Sequence, residues 1–363
     1  MQEQGFFQGL KVVELASVLA GPSVGMFLAE LGAEVIKVEN AQTGGDVTRA
    51  WKLPVEDPAQ AFSAYYHSVN YGKKRVLRDL KQPDHLAEVK QWIGAADIVV
   101  ANFKAGSAEK LGLDYSSLSK GHSRLIYVNL TAYGPNDPRP GFDALIQAET
   151  GWMSMNGYPE GPPAKLPVAL MDILAAHQMK EGLLIALLAR ERTGQGSEVQ
   201  VNLFDSSLSA LANQASNWLN LGYLPQPMGS RHPNIAPYGD ILFDKDGKGL
   251  LLSTGTEQHF KALCEALGRP ALATHPHFET NALRLQNRDE LVALLQAAAG
   301  VMSREVLIKK LGEAGVPASP IKDLEAVFDQ PTRDRMVLSE VHEDGSTSQC
   351  VKTVAFQIRT PES

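Results

Sequence analysis

Short apolar runs alternate with longer amphipathic stretches through the first half of the chain. Lys11 to Ala16 (KVVELA) reads as a buried strand. Gly21 and Pro22 open a helical stretch that runs to Leu31, since proline is tolerated where a helix's first N–H would lack a partner anyway. Gly32 ends it, and Ala33 to Glu39 (AEVIKVE) reads as a second strand. Strand, helix, strand is a βαβ unit and implies a parallel sheet. The pattern recurs: Leu86 to Gly94 reads as helix, and Ala96 to Asn102 (ADIVVAN) and Arg124 to Leu130 (RLIYVNL) read as strands. The period predicts an open α/β sheet with helices on both faces.

Tyr133 to Pro140 and Gly157 to Pro167 are Gly/Pro loops on either side of a helical stretch, Phe142 to Gly151. A long helix is predicted from Asp172 to about Arg192, apolar on most faces and therefore largely buried. Thr193-Gly194-Gln195-Gly196 stops it, and Glu198 to Leu203 alternates like a strand. Leu221 to Pro237 is rich in Pro and Gly and reads as a linker. From Ile241 to Pro320 a hairpin around Asp244 to Gly249 precedes amphipathic helices, which reads as a smaller second domain. Repeats and low-complexity tracts are absent.

A length of 363 residues agrees with roughly two domains. The net charge of -7 gives no global basic field for a nucleic acid, so an anionic ligand needs a local cluster of Lys and Arg. Cys264 and Cys350 are far apart and form neither a disulfide framework nor a CxxC metal site, which fits a reducing compartment. Met1 to Leu10 lacks the layout of a secretory signal. No apolar run reaches the roughly 18 residues that span a bilayer. These features lead us to expect a cytoplasmic protein without a membrane or nucleic-acid partner.

Several positions could carry chemistry. Gly21-Pro22-Ser23-Val24-Gly25 sits where a strand passes into a helix, which suits an anion but equally a plain turn. Glu39 ends the next strand, where dinucleotide folds keep a ribose-binding acid, yet the GxGxxG fingerprint is missing. Lys37, Lys73, Lys74, Arg75, Lys81, Lys104 and Lys110 lie near expected strand ends and either converge on phosphates or form a solvated surface. Asp172 stands between Val168-Ala169-Leu170-Met171 and Ile173-Leu174-Ala175-Ala176. A carboxylate there is either an N-cap or a catalytic group. The two roles are compatible, because a helix N-terminus favours the ionised, nucleophilic form. The nine histidines show no metal spacing, and HExxH and GxSxG are absent.

Taken in order, these segments resemble the family III coenzyme A transferases over nearly the whole chain. The resemblance starts at Gly9-Leu10-Lys11-Val12-Val13-Glu14-Leu15 and Leu19-Ala20-Gly21-Pro22. It continues through Leu31-Gly32-Ala33-Glu34-Val35-Ile36-Lys37-Val38-Glu39 and Gly45-Asp46-Val47-Thr48-Arg49. Ala101-Asn102-Phe103-Lys104 with Leu111-Gly112-Leu113 follows the family's ENFxxG…LGL segment. Then come Ala132-Tyr133-Gly134-Pro135, Phe142-Asp143-Ala144-Leu145-Ile146-Gln147-Ala148, Met171-Asp172 and Arg190-Glu191-Arg192-Thr193-Gly194-Gln195-Gly196. His232-Pro233-Asn234 with Pro237-Tyr238, and Ala314-Gly315-Val316-Pro317, complete it.

The resemblance implies that coenzyme A is a co-substrate, that no metal takes part and that Asp172 is the nucleophile. It puts coenzyme A contacts on Leu19, Ala20, Asn40, Arg78 to Lys81, Asn102, Phe103, Lys104, Lys110 and Arg139 to Phe142, with Lys110 and Arg139 meeting phosphates. The implied fold is a Rossmann-like open parallel sheet domain over 1–215, a linker over 216–240, a smaller α+β domain over 241–322 and a return of 323–363 to the large domain. Two such chains interlock as a homodimer. Arg49 and Arg231 are candidates for a distal substrate carboxylate or for structural roles, and Asp143, His232 and Tyr238 join them as candidate pocket residues. Formyl-CoA transferase has a glycine run where this chain has His232 to Gly239 and a glutamine where it has Leu19, which argues against formyl or oxalyl groups. The related α-methylacyl-CoA racemases use a histidine at the position of Phe142. An acyl-CoA racemase is therefore the alternative reading, and a CoA-binding protein without turnover is a more distant one.

Overall fold

The computed structural model of the chain describes residues 5–342 and 345–359. It divides into two compact units. The first comprises the chain up to Trp152, Lys165–Leu224 and the stretch from Pro331. The second comprises Met153–Ala164 and Pro225–Gln330.

The first unit is built on six parallel strands: β1 (Lys11–Leu15), β2 (Glu34–Asn40), β3 (Lys74–Arg78), β4 (Ile98–Ala101), β5 (Ile126–Thr131) and β6 (Glu198–Asn202). Their order is β3-β2-β1-β4-β5-β6, the doubly wound order whose direction reverses between β1 and β4. Successive side chains alternate between the faces. Val12, Ile98, Val100, Ile126 and Val128 pack with Val24 and Leu28 of helix Ala20–Glu30 and with Ala175, Met179 and Leu183 of helix Leu170–Thr193. Val13, Leu15, Val99, Ala101 and Tyr127 face the other way, against Val89 and Ile93 of helix Pro83–Gly94.

The strand periods read from the sequence are present, and β3, which the sequence did not show as a strand, joins them. Its residues, Lys74-Arg75-Val76-Leu77-Arg78, read as a basic cluster. An edge strand tolerates such charge, which guards it against pairing with other chains. Helix Pro83–Gly94 starts earlier than the apolar period indicates, because Pro83 occupies its first position. Helices Leu203–Ser209 and Ala212–Leu221 were not apparent in the sequence.

The second unit carries an antiparallel sheet of β7 (Tyr238–Phe243), β8 (Gly249–Ser253) and β9 (Ala318–Pro320). The expected hairpin turn is there at Asp244, whose carboxylate accepts from the Asp246 and Lys248 N–H groups. Leu250, Leu252, Phe260, Leu263, Leu295 and Leu307 form its core.

After Pro331 the chain forms a hairpin, β10 (Val337–Val341) and β11 (Thr347–Val351). This segment is joined to the rest of the first unit by polar contacts as well as by packing. Arg75 of β3 pairs with Glu340 at 2.6 Å. The Glu30 carboxylate, at the end of its helix, accepts from the Thr353 N–H at 2.8 Å, the Thr353 hydroxyl at 2.7 Å and the Val354 N–H at 3.2 Å. Among the described residues no single helix is long and apolar enough to cross a membrane.

Candidate active site

A parallel sheet gathers the loops after all its strands along one edge, and a doubly wound sheet opens a crevice there at the reversal of strand order. The first unit brings the expected coenzyme A contacts to that edge. Leu19 and Ala20 follow β1, Asn40 ends β2, Arg78 ends β3 with Lys81 just beyond, Asn102, Phe103 and Lys104 follow β4 with Lys110 one turn further on, and Arg139 and Phe142 follow β5. Among the described residues, Lys81, Lys104 and Lys110 have no carboxylate partner. Arg78 pairs with Glu88 at 2.8 Å. Arg139 lies 3.7 Å over the Tyr133 ring and pairs with Asp137 at 2.8 Å and Glu149 at 3.4 Å. Phe142 is exposed and precedes helix Asp143–Glu149.

Side chains from two other loops hold the loop after β1. The Asn102 amide clamps Ser17, accepting its N–H at 3.0 Å and donating to its carbonyl at 2.9 Å. Val18 has φ of 74°, a left-handed conformation that is costly for a β-branched residue. Its N–H donates to the Asp46 carboxylate, 3.2 Å from the nearer oxygen.

Asp46 belongs to a buried array of three carboxylates and three cations. Lys37 lies 3.0 Å from Asp46 and 2.9 Å from Glu14, Lys73 lies 2.7 Å from Glu14, and Arg49 lies 2.6 Å from Glu39. Burial pulls the Lys37 ammonium down, but Glu14 and Asp46 more than reverse this and hold it above the ordinary lysine range. Burial lowers Lys73 to about 7, with Glu14 opposing and the Lys37 charge assisting. The helix that begins after Leu19 leaves this array little room. A Cβ on Gly25 would stand 1.8 Å from Glu14 Oε2.

Three sequence expectations are corrected here. Lys37 and Lys73 are neither phosphate ligands nor solvated, because burial with no exit to solvent commits them to Glu14 and Asp46. Arg49 is not free to hold a substrate carboxylate. Glu39 takes its guanidinium, which also stacks over Phe62 and Tyr66. Glu39 itself is occupied by Arg49, the Tyr66 hydroxyl and the Asp46 N–H, so it cannot serve a ribose.

Asp172 is the third residue of helix Leu170–Thr193 and does not cap it. Ala169 is at the cap position without a side-chain bond. The Asp172 side chain is only 9% exposed, and among the described residues none donates a hydrogen bond to its carboxylate. Burial, helped by the Asp143 charge, raises its pKa to about 7. Desolvation thus opposes the helix terminus, which favours the ionised form.

Asp143 holds the backbone beneath it. One oxygen accepts from the Met171 N–H at 2.7 Å and the Asp172 N–H at 3.3 Å. The other accepts from the Gln147 amide, whose carbonyl accepts from the Leu166 N–H at 2.8 Å. The Phe142-to-Gln147 segment thus fixes the start of the long helix. Tyr65 was missed in the sequence. Its phenol is raised to about 12 by burial and then by the charges of Asp172 and Asp143, and its ring meets Trp51 edge to face at 5.0 Å. The aromatic run Tyr65-Tyr66-His67 was the signal available.

Arg231, His232 and Tyr238 belong to the second unit. Arg231 pairs with Asp289 at 2.8 Å and Asp240 at 3.4 Å. The His232 and Tyr238 rings are 5.2 Å apart, and their carbonyls accept from Arg288. Among the described residues, no group of three or more His, Cys, Asp or Glu is placed to hold a metal.

Residues 7–362 match the family described as CoA-transferase family III. The chain is 37% identical to succinate–glutarate CoA-transferase of Agrobacterium fabrum, over 97% of this chain and 90% of that protein. It is 35% identical to acetyl-CoA:oxalate CoA-transferase of Acetobacter aceti, over 90% of this chain and 84% of that protein. A CAIB/BAIF family protein from Brucella suis, known from its crystal structure, superimposes with a TM-score of 0.86 at 37% identity, covering 99% of this chain and 94% of that one. The chain belongs to the family III CoA-transferases.

Proposed function

We propose that this enzyme moves coenzyme A from an acyl-CoA donor to a carboxylic acid acceptor through a covalent aspartyl-CoA thioester on Asp172. One observation carries the reading. Asp172 is a buried carboxylate free of hydrogen-bond partners among the described residues, on backbone that Asp143 holds in place. An unengaged carboxylate in a desolvated position is a strong nucleophile once ionised. Its carboxylate oxygen attacks the donor thioester carbonyl, the C–S bond breaks, and a mixed anhydride and a CoA thiolate form. The thiolate attacks the aspartyl carbonyl and releases the donor acid, leaving aspartyl-CoA. The acceptor carboxylate then reverses both steps. Water has to be excluded, because it would hydrolyse the anhydride.

Coenzyme A lies along the strand-end edge, near Leu19, Ala20, Asn40, Asn102 and Phe103. The ammonium groups of Lys81, Lys104 and Lys110, without a carboxylate partner among the described residues, support phosphate contacts there. Relatives named for succinate, glutarate and mesaconate support small dicarboxylates as the acids exchanged. An interlocked homodimer is supported by the apolar surface the single chain leaves exposed, including Leu184, Ile185 and Leu188 on the long helix and Trp218, Leu219 and Leu221 further on. Cytoplasmic placement remains part of the same reading.

Intact-mass measurement after incubation with a panel of acyl-CoA thioesters tests the chemistry. A hydroxylamine-sensitive gain of one CoA, mapped to Asp172 and absent from Asp172→Ala, is expected. Native mass spectra of the same samples should give a dimer, and a monomer would remove the interlocking. An acid poised near 7 would also suit proton exchange at an acyl α-carbon, which favours the racemase alternative. The ring of Phe142 has no proton to contribute to such a pair. Deuterium uptake at the α-carbon without any adduct would decide for the racemase.

A further inference from the structure

The Gly45-Asp46-Val47-Thr48-Arg49 segment lies outside the coenzyme A contacts and the nucleophile's surroundings, yet its side chains are almost fully engaged. Arg49 and the Asp46 N–H meet the Glu39 carboxylate at the end of β2. Gly45, with φ of 118°, passes so close that a Cβ would stand 2.4 Å from Glu39 Oε2. This packing turns the Asp46 carboxylate back toward β1. There it accepts from Thr48, twice, and from Lys37 and Val18.

Val18 is the residue that needs such support. A β-branched side chain at φ of 74° persists only where its surroundings over-determine it. Asn102 fixes the preceding peptide on one side through Ser17, and Asp46 fixes the Val18 N–H on the other. Leu19 follows immediately at the cap position of helix Ala20–Glu30. The left-handed turn therefore sets the direction in which Leu19, Ala20 and the first free N–H groups of that helix meet the crevice.

We propose that Asp46 is a positioning residue for coenzyme A, holding Val18 in its left-handed conformation so that the loop after β1 is preformed for the ligand. This rests on the reading of Leu19 and Ala20 as coenzyme A contacts. Asp46 does not touch the reacting atoms, so its loss acts on binding of the CoA moiety rather than on the Asp172 chemistry.

The test is calorimetric titration with coenzyme A itself, beside thermal melting, on the full-length protein. Asp46→Ala should weaken coenzyme A binding about tenfold or more, the order expected for losing a buried bond to a charged group. Glycine adopts positive φ without strain. Asp46→Ala/Val18→Gly should therefore recover affinity to within about threefold of the unaltered protein, even though the melting temperature stays low from the loss of Lys37's partner. A purely structural role for Asp46 predicts no such recovery. Unchanged affinity in Asp46→Ala overturns the proposal, as does a loss that Val18→Gly leaves in place. If Asp46→Ala does not fold, the double variant decides: a folded, coenzyme A-binding protein supports the proposal, and continued failure overturns it. An unaltered protein that binds no coenzyme A removes the underlying site reading, and the proposal with it.

Discussion

Asp172→Asn should lower the rate of CoA transfer at least about 10⁴-fold, as expected when a covalent nucleophile is removed, while making the protein more stable at neutral and alkaline pH. The second effect follows from the raised pKa. In the folded chain the carboxyl titrates at about 7, against an ordinary value of 3.8, so the folded state holds this proton more tightly than the unfolded state. Below about pH 4 both states are protonated and the group costs nothing. Stability is lost as pH rises from there through about 7, and above that the full cost of a buried charge remains. Asparagine never ionises, so the variant should gain about 4 kcal/mol over the unaltered enzyme at pH 8 and little at pH 4. Paired denaturant titrations at the two pH values measure it, and equal differences at both would contradict the assignment of the raised pKa. The unaltered enzyme should form its covalent adduct faster as pH climbs through about 7, because only the carboxylate attacks.

The second large effect is expected at Glu14, in the buried array behind the loop after β1. Glu14→Gln leaves Lys73 buried without its carboxylate and takes one of two from Lys37. Burial already lowers Lys73 to about 7 with Glu14 in place, so without it the amine sheds its proton, and the cost is that of a buried polar group that has lost a partner, about 1–3 kcal/mol. A comparable loss in unfolding free energy is expected, and Lys73→Met in the same chain should restore much of it by removing that amine. A loss below about 1 kcal/mol would mean that water reaches the array and solvates Lys73.

The course of the first unit was legible because buried parallel strands leave a coarse signal. Runs such as Ile98-Val99-Val100-Ala101 are apolar on both faces, and Gly32 and Gly194 punctuate the helices beside them. β3 was hidden because an edge strand can be written in Lys and Arg. The strand-end placement of the expected coenzyme A contacts followed from topology alone, since residues after parallel strands share one edge whatever their identity. What the sequence concealed was partnership. Lys37 and Lys81 look alike in a string of letters, yet one is sealed against Glu14 and Asp46 and the other is exposed. Arg49 looked like a substrate ligand until Glu39 was found against it. Pairings between residues on different strands depend on register and depth, which no local pattern records. Asp172 illustrates the same limit in energetic form: its position beside an apolar run was visible, but the balance between dipole and desolvation depends on how completely Asp143 and the surrounding helices enclose it.

The tether between Glu30 and Thr353 has a consequence for how the enzyme is made. The two residues are 323 positions apart, so during synthesis the helix that follows the ligand loop emerges long before the segment that secures its far end. Loop-closing contacts of that separation form late, and domains tend to fold as units while the chain is extended. The second unit, nearly all of it one continuous stretch, can assemble on the ribosome after the six parallel strands, which end at Asn202, whereas the tether must wait for the segment beyond Pro331. A nascent chain stalled before Pro331 would therefore hold all six parallel strands yet leave the Glu30 end of that helix untethered, open to chaperones and proteases while the second unit is already folded.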